Sequence, residues 1–382
     1  MLYLLHNLLR ESFTQAGAYR YIRLLRYITF RTIFAALTAF VLVAYLGPLC
    51  IRLLKRHRFH DVDHTTDPGA ITELREGKRT TPTMGGVLIL LAILVSVGLW
   101  ANLGNYYVRV GIFVLAWLGA LGLADDWVKL ARPGSNGLRM RSKLVFQVGL
   151  GLLVGLFLWK YLDRVQTTPE DLGGLNQGRA LALPFSKHLI PLGLGAFVGL
   201  AMLVIVASSN AVNLTDGLDG LAIGCVGVAA LAFTGLTYVA GHHELASYLR
   251  VPWVPGVGEL TVLAGSVVGA CLGFLWWNCH PAEVFMGDTG SLALGGAIGY
   301  LAVASRSELL LLIVGGVFVI EAGSVLLQVG SYKLRGGKRV LLCAPYHHHL
   351  QMKGWHENQI TVRFWILAGL FAALGVATLK LR

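Results

Sequence analysis

Charge is scarce in this chain: Asp, Glu, Lys and Arg make up 14% of its 382 residues, against about 25% in soluble domains. That scarcity excludes an ordinary soluble fold. Paired cysteine spacing is also missing. Cys50, Cys225, Cys271, Cys279 and Cys343 are odd in number, lie mostly inside apolar runs and form no C-x-x-C pair. They read as buried small hydrophobes, which excludes a disulfide framework and a thiolate metal site. The polar stretches between apolar runs are too short to hold a soluble domain. No repeat recurs at a fixed period, so a solenoid is excluded. The N-terminus lacks the basic start, short apolar core and small-residue cleavage site of a signal peptide, and is expected to be retained.

What is present is hydrocarbon-soluble sequence. Hydrophobic residues make up 55% of the chain, and its mean hydropathy is +0.64. Runs long enough to cross a core of about 30 Å as helices fall at 31–52, 84–103, 106–124, 144–162, 189–207, 219–240, 258–277, 289–304, 308–332 and 360–379. The expected fold is all-α: a polytopic membrane helix bundle of about ten transmembrane helices, with residues 1–382 forming a single membrane domain. Lys and Arg concentrate in cytoplasmic loops. Here they gather after the first, third and ninth runs, so those loops are expected in the cytoplasm. Arg20, Arg23, Arg26 and Arg31 fall on the opposite side of a ten-span count, a conflict that an interfacial helix or a miscounted span would resolve.

Ionisable groups at span ends are costly and point to function. Four polar clusters follow odd-numbered runs, hence share one side. Asp125 and Asp126 follow the third run; "SSNAVNLTDGLDG" (208–220) joins the fifth to the sixth; "NCHPAEVFMGDTGS" (278–291) leads into the eighth; "APYHHHLQMKGWHEN" (344–358) precedes the tenth. Adjacent carboxylates repel unless a cation intervenes. Asp and Asn ligands without Cys favour a hard ion such as Mg²⁺. The plain alternative for the Asp pair is a salt bridge to Lys129, four residues on. Asp216 and Asp219 are three apart and would share a face if the sixth run starts there as a helix, although an N-cap and turn accounts for Asp216 alone. Asp288 falls in the expected first helical turn of the eighth run, where free N–H groups favour anions. His347, His348 and His349 cannot all point one way. Separated positions suit zinc better, so imidazoles that hydrogen-bond phosphate or sugar, with one or two playing structural parts, are the favoured reading. The net charge of +12 follows mainly from orientation and would draw acidic substrates and anionic headgroups. No nucleic-acid partner is expected.

"ADDWVK", "NLTDGLDGLA", "FMGDTGS" and "PYHHHLQMKGW", in this order, with "TPTMGGVLIL" and "VRFWIL" beside them, resemble the phospho-N-acetylmuramoyl-pentapeptide transferase family, within the polyprenyl-phosphate sugar-1-phosphate transferases. The resemblance covers nearly the whole chain. It implies a ten-helix, multi-pass enzyme of the bacterial cytoplasmic (inner) membrane with its site facing the cytoplasm. That enzyme transfers phospho-MurNAc-pentapeptide from UDP-MurNAc-pentapeptide to undecaprenyl phosphate in the lipid bilayer, giving lipid I and UMP with Mg²⁺. It implies Asp288 as the metal ligand, and Asp125, Asp126, Lys129 and His348 with Asp288 as the catalytic set. Lys78, Thr83, Asn213, Asp216 and Asp219 would bind substrate, as would Asn278, Phe285, Gln328, His347 and His349. A homodimer is common in the family. Departures are Thr80 where Gly is usual, Gln351 near a usual acidic residue, His356 for Pro, and a longer polar stretch at 58–78, which ends at Lys78.

Two other kinds of protein share parts of this pattern. A related transferase using UDP-GlcNAc would differ only in substrate, and the uninterrupted His triplet followed by "KGW" argues against it. A secondary transporter would also hold carboxylates in a bundle, but near mid-membrane rather than at span ends.

Overall fold

The computed structural model describes Leu2 and residues 23–56, 81–132, 137–164, 177–186 and 188–379. Lys78, Thr80 and the stretch 58–78 lie outside the described residues.

The described chain is a bundle of thirteen α-helices with one two-stranded hairpin. The first half comprises α1 (Ile28–Arg56), α2 (Gly86–Trp100), α3 (Tyr106–Ala131) and α4 (Met140–Arg164). The hairpin β1 (Ala180–Ala182) and β2 (Leu189–Pro191) follows, antiparallel with Leu181 opposite Ile190. The second half comprises α5 (Leu194–Thr215), α6 (Leu221–Gly241), α7 (His243–Leu249), α8 (Leu260–Asn278) and α9 (Gly287–Ala304). It ends with α10 (Glu308–Val314), α11 (Gly316–Leu334), α12 (Tyr346–Met352) and α13 (Glu357–Ala377).

Eight of these helices are long and apolar enough to cross a membrane: α1, α3, α4, α5, α6, α8, α11 and α13. The other two expected spans correspond to α2, of 15 residues, and α9, of 18. Neither needs full length to be stable, because α9 is the axis of the bundle. Every residue from Thr289 to Ala304 is buried, with α2, α3, α5 and α6 packed around it. Small residues allow such approaches where apolar surfaces alone give no drive to associate in lipid. On α8, Gly265, Gly269 and Gly273 form a stripe against α1, and a Cβ at Gly273 would stand 2.8 Å from the Phe40 carbonyl oxygen.

Several expected boundaries shift. Helix α3 continues to Ala131, so Asp125 and Asp126 lie on its last turns rather than in a loop. Helix α6 starts at Leu221, which leaves Asp216 and Asp219 in the preceding turn and not on one helical face. The expected fifth run at 189–207 opens with β2, and its helix runs on to Thr215. The ninth divides at Gly315 into α10 and α11.

Arg31, one of the N-terminal arginines on the opposite side of the ten-span count, is buried. Its guanidinium grips Glu259 in a fork of 2.8 and 2.6 Å and also donates to the Trp100 carbonyl at 3.2 Å. This pair ties α1 to α8 at the end of the bundle away from the Asp cluster.

Candidate active site

Three chain segments meet at the head of α9. Phe285 N–H donates to Pro82 O, and Gly85 and Gly86 N–H groups donate to Phe285 and Met286 carbonyls, all at 2.8 Å. This short pairing holds Thr83 beside Gly287. Gly287 has φ of +73°, and a Cβ there would stand 2.8 Å from an Asp126 carboxylate oxygen and 3.1 Å from the Thr83 hydroxyl. Glycine is therefore required for both conformation and space.

The two adjacent aspartates do different work. Asp126 is buried and spends both oxygens on the start of α9: Oδ1 accepts the Asp288 N–H at 3.1 Å, and Oδ2 accepts the Thr289 N–H at 2.9 Å and its hydroxyl at 2.7 Å. It supplies the N-terminal cap that no α9 residue provides. Asp125, also buried, accepts the Leu138 N–H on Oδ1 at 2.6 Å and turns Oδ2 to two ammonium groups, Lys143 at 2.8 Å and Lys129 at 2.9 Å.

Asp288 completes the cluster. Its Oδ2 lies 2.7 Å from Lys143 Nζ and 3.3 Å from Lys129 Nζ, while Oδ1 accepts from Asn213 Nδ2 at 2.9 Å. Asn213 also donates to Ser291 Oγ at 2.9 Å. Asp125, Asp126 and Asp288 each offer an oxygen, all within 4.8 Å of one another. Two lysines thus offset three carboxylates in a half-buried corner. Lys143 belongs to the basic stretch after the third run, which the sequence assigns to a cytoplasmic loop. The start of α4 at Met140 carries it inward, a placement that a basic-loop count could not reveal.

A second group adjoins the turn before α6. Asp219 Oδ2 accepts from His280 Nδ1 and the Ala282 N–H, both at 3.1 Å, and Glu357 Oε1 accepts the Asp219 N–H at 2.8 Å. Asn278 joins the same two segments, accepting from Gly220 N–H at 3.1 Å and donating to Val284 O at 2.8 Å. Asp216, half-buried, closes the C-terminus of α5. His280 and Glu357 were not singled out from the sequence; neither stands in a repeating pattern.

The histidine triplet fans out on α12, as its spacing requires. His347 is fully buried, with Nδ1 2.9 Å from Glu321 Oε2 and its own N–H donating to Oε1 at 3.2 Å. Its Nε2 has no hydrogen-bond partner among the described residues and faces the Gly217 turn. His348 Nδ1 lies 2.8 Å from Gln351 Oε1, and His349 Nδ1 accepts the Leu342 N–H at 3.2 Å. Burial and neighbouring Lys353 hold the His349 imidazole below its ordinary pKa range, in keeping with a neutral acceptor ring. Gln328 clamps the loop after α11, accepting from Val340 and Leu341 N–H at 3.0 Å and donating to Leu341 O at 2.9 Å. Glu321 escaped the sequence reading because it is a single carboxylate within an apolar run.

The fold and this corner of carboxylates, lysines and histidines define a polytopic membrane transferase. The sequence profile of glycosyl transferase family 4 matches residues 108–306, which include α5, α9 and all but the first two residues of α3, with Asp125, Asp126, Asn213 and Asp288. The chain is 47% identical to the phospho-N-acetylmuramoyl-pentapeptide-transferase of Syntrophus aciditrophicus over 95% of its own length and 97% of that protein's. Identity is 48% to the enzyme of that name from Thermodesulfovibrio yellowstonii and 50% to that from Solidesulfovibrio magneticus, each over 94% of this chain and 95% of the relative. The chain belongs to the phospho-N-acetylmuramoyl-pentapeptide-transferase family, a group of glycosyl-1-phosphate transferases.

Proposed function

We propose that this enzyme moves phospho-MurNAc-pentapeptide from UDP-MurNAc-pentapeptide to undecaprenyl phosphate, yielding lipid I and UMP, at the cytoplasmic face of a bacterial inner membrane. The observation that carries the reading is the Asp125–Lys143–Asp288–Lys129 cluster at one end of a membrane bundle. Both substrates are anionic phosphates, so their approach is opposed by like charge. Fixed ammonium groups aimed at that point lower the barrier most where charge develops.

In direct transfer, an oxygen of the lipid phosphate forms a bond to the β-phosphorus as the bond from β-phosphorus to the bridging oxygen breaks and UMP departs. Lys129 and Lys143 would receive the phosphate oxygens. Asp125 holds both lysines in place. A phosphate monoester is already largely dianionic near neutral pH, its second pKa being about 6, so a general base adds little and placement dominates. Asp126, with both oxygens committed to α9, serves by fixing Asp288.

The donor set fits a hard divalent ion, since the facing groups are carboxylate oxygens and an amide with no sulfur among them. Asp288 and Asp125 would hold Mg²⁺. Bound there, it would neutralise diphosphate charge and stabilise departing UMP. Thr83, the Asp216–Asp219 turn, Asn278, Phe285, Gln328 and the α12 histidines would frame the nucleotide and sugar around this centre. Lys78 joins that proposal from its sequence position. The homodimer implied by the family is the assembly to test by mass measurement in detergent.

The deciding experiment follows UMP release by purified protein in detergent with Mg²⁺ and undecaprenyl phosphate, comparing UDP-MurNAc-pentapeptide with UDP-GlcNAc and including Asp288→Asn. Release with the muramoyl substrate alone, lost in the variant, is expected. Release with UDP-GlcNAc would refute the substrate assignment, and full activity in Asp288→Asn would refute the metal assignment.

A further inference from the structure

Four successive backbone polar groups at the end of the Asp216–Asp219 turn are held by side chains from elsewhere in the chain. The Asp219 N–H donates to Glu357 Oε1 at 2.8 Å, and the Asp219 carbonyl accepts from the Thr361 hydroxyl at 3.2 Å. The Gly220 N–H donates to Asn278 Oδ1 at 3.1 Å, and the Gly220 carbonyl accepts from Trp365 Nε1 at 3.1 Å. Gly220, with φ of +73°, stands at the N-cap of α6 and has no side chain to cap it. The start of that helix therefore depends on partners brought to it.

Three of the four partners come from α13. Glu357, Thr361 and Trp365 are spaced four residues apart, so they stand one above another on a single face of the helix. That face follows the turn in order: the first side chain takes an N–H, the second the carbonyl of the same residue, the third the next carbonyl. The approach is close because the facing residues are small. A Cβ on Gly220 would stand 3.3 Å from Trp365 Cζ2, and one on Gly224 would overlap the indole ring. His280 adds a hold on the side chain, with Nδ1 3.1 Å from Asp219 Oδ2 and 3.7 Å from Glu357 Oε2. Apolar packing of α13 on α6 would need none of these polar groups. A carboxylate and a hydroxyl turned inward from a membrane helix are costly, and mark a task.

We propose that α13 is a positioning element for nucleotide-sugar binding: Glu357, Thr361 and Trp365 clamp the backbone at Asp219 and Gly220 and so set how the Asp216–Asp219 turn meets the substrate. This rests on the function proposed above, which puts that turn against the nucleotide sugar, and adds the residues that act through it. The lipid acceptor does not depend on the clamp.

The test uses the full-length protein in detergent with Glu357→Ala, Thr361→Val and Trp365→Phe, each of which removes one of the three bonds. Calorimetry gives the Kd for UDP-MurNAc-pentapeptide, and steady-state kinetics gives KM for both substrates. Glu357→Ala should raise the nucleotide Kd and KM about tenfold, equivalent to about 1.4 kcal/mol, within the range for a hydrogen bond to a charged group. Thr361→Val and Trp365→Phe should raise them about threefold, since neutral hydrogen bonds contribute less. The KM for undecaprenyl phosphate should stay unchanged in all three. Glu357→Gln keeps an acceptor opposite the Asp219 N–H and should restore nucleotide affinity. Arg31→Met, which loosens the far end of the bundle, is the control for general destabilisation. Lower melting temperatures with an unchanged nucleotide Kd in Glu357→Ala and Thr361→Val, as in that control, would overturn the proposal. Equal increases in both KM values would overturn it as well. Failure of the unmodified protein to bind UDP-MurNAc-pentapeptide would instead count against the proposed function, and the Kd for UMP across the same variants would still report on the clamp.

Discussion

The Asp126 carboxylate takes both the backbone N–H and the hydroxyl of Thr289, at 2.9 and 2.7 Å. Capping from another helix fixes where α9 begins, and hence where Asp288 stands. Asp126→Ala should lower stability by about 1–2 kcal/mol, the usual scale of a lost N-cap, together with activity. Asp125→Ala should abolish activity with a smaller loss of thermal stability. Parallel melting curves and UMP-release rates on the two variants check this division. Equal melting temperatures would remove the capping role.

Lys143 bridges Asp125 and Asp288. Lys143→Met should cut kcat by about 10²–10³, as removal of one positioned donor to developing charge does. Lys143→Arg should restore little, because the broader guanidinium does not fit between two carboxylates spaced for one ammonium nitrogen. Steady-state kinetics on both variants measures this.

Glu321 and His347 form a fully buried pair between α11 and α12. Glu321→Leu leaves the imidazole without its partner and should destabilise the protein by about 1–3 kcal/mol, the usual cost of an unsatisfied buried polar group. Glu321→Gln keeps a hydrogen-bonding shape and should cost less. Thermal unfolding in detergent ranks the two, and nitrogen chemical shifts of His347 report the altered tautomer.

At the opposite end, Arg31→Met should break the fork to Glu259 and lower the melting temperature while leaving both substrate KM values unchanged. A changed KM would mean that this pair communicates with the distant site.

Much was legible along the chain. Ten apolar runs each correspond to helical structure, and Asp288 stands in the first turn of α9 as its glycine-flanked motif suggested. Family motifs brought Asp125, Asn213 and Asp288 to attention, and they meet within one hydrogen-bonded group. Other features were hidden. Lys143 looked like any basic loop residue, and Glu321, His280 and Glu357 had no local pattern. Gln328 and Asn278 use their side-chain amides to hold neighbouring backbone, a commitment invisible until the loops are placed.

The sequence by itself determined that this chain is an all-α membrane bundle and to which transferase family it belongs. Hydrocarbon demands internally satisfied backbone over long apolar runs, and motif chemistry is written residue by residue. Only the tertiary structure decided that Asp126 caps a distant helix while Asp125 gathers two lysines. Those outcomes depend on how the head of α9 packs against the end of α3, a contact between residues more than 160 positions apart in the chain.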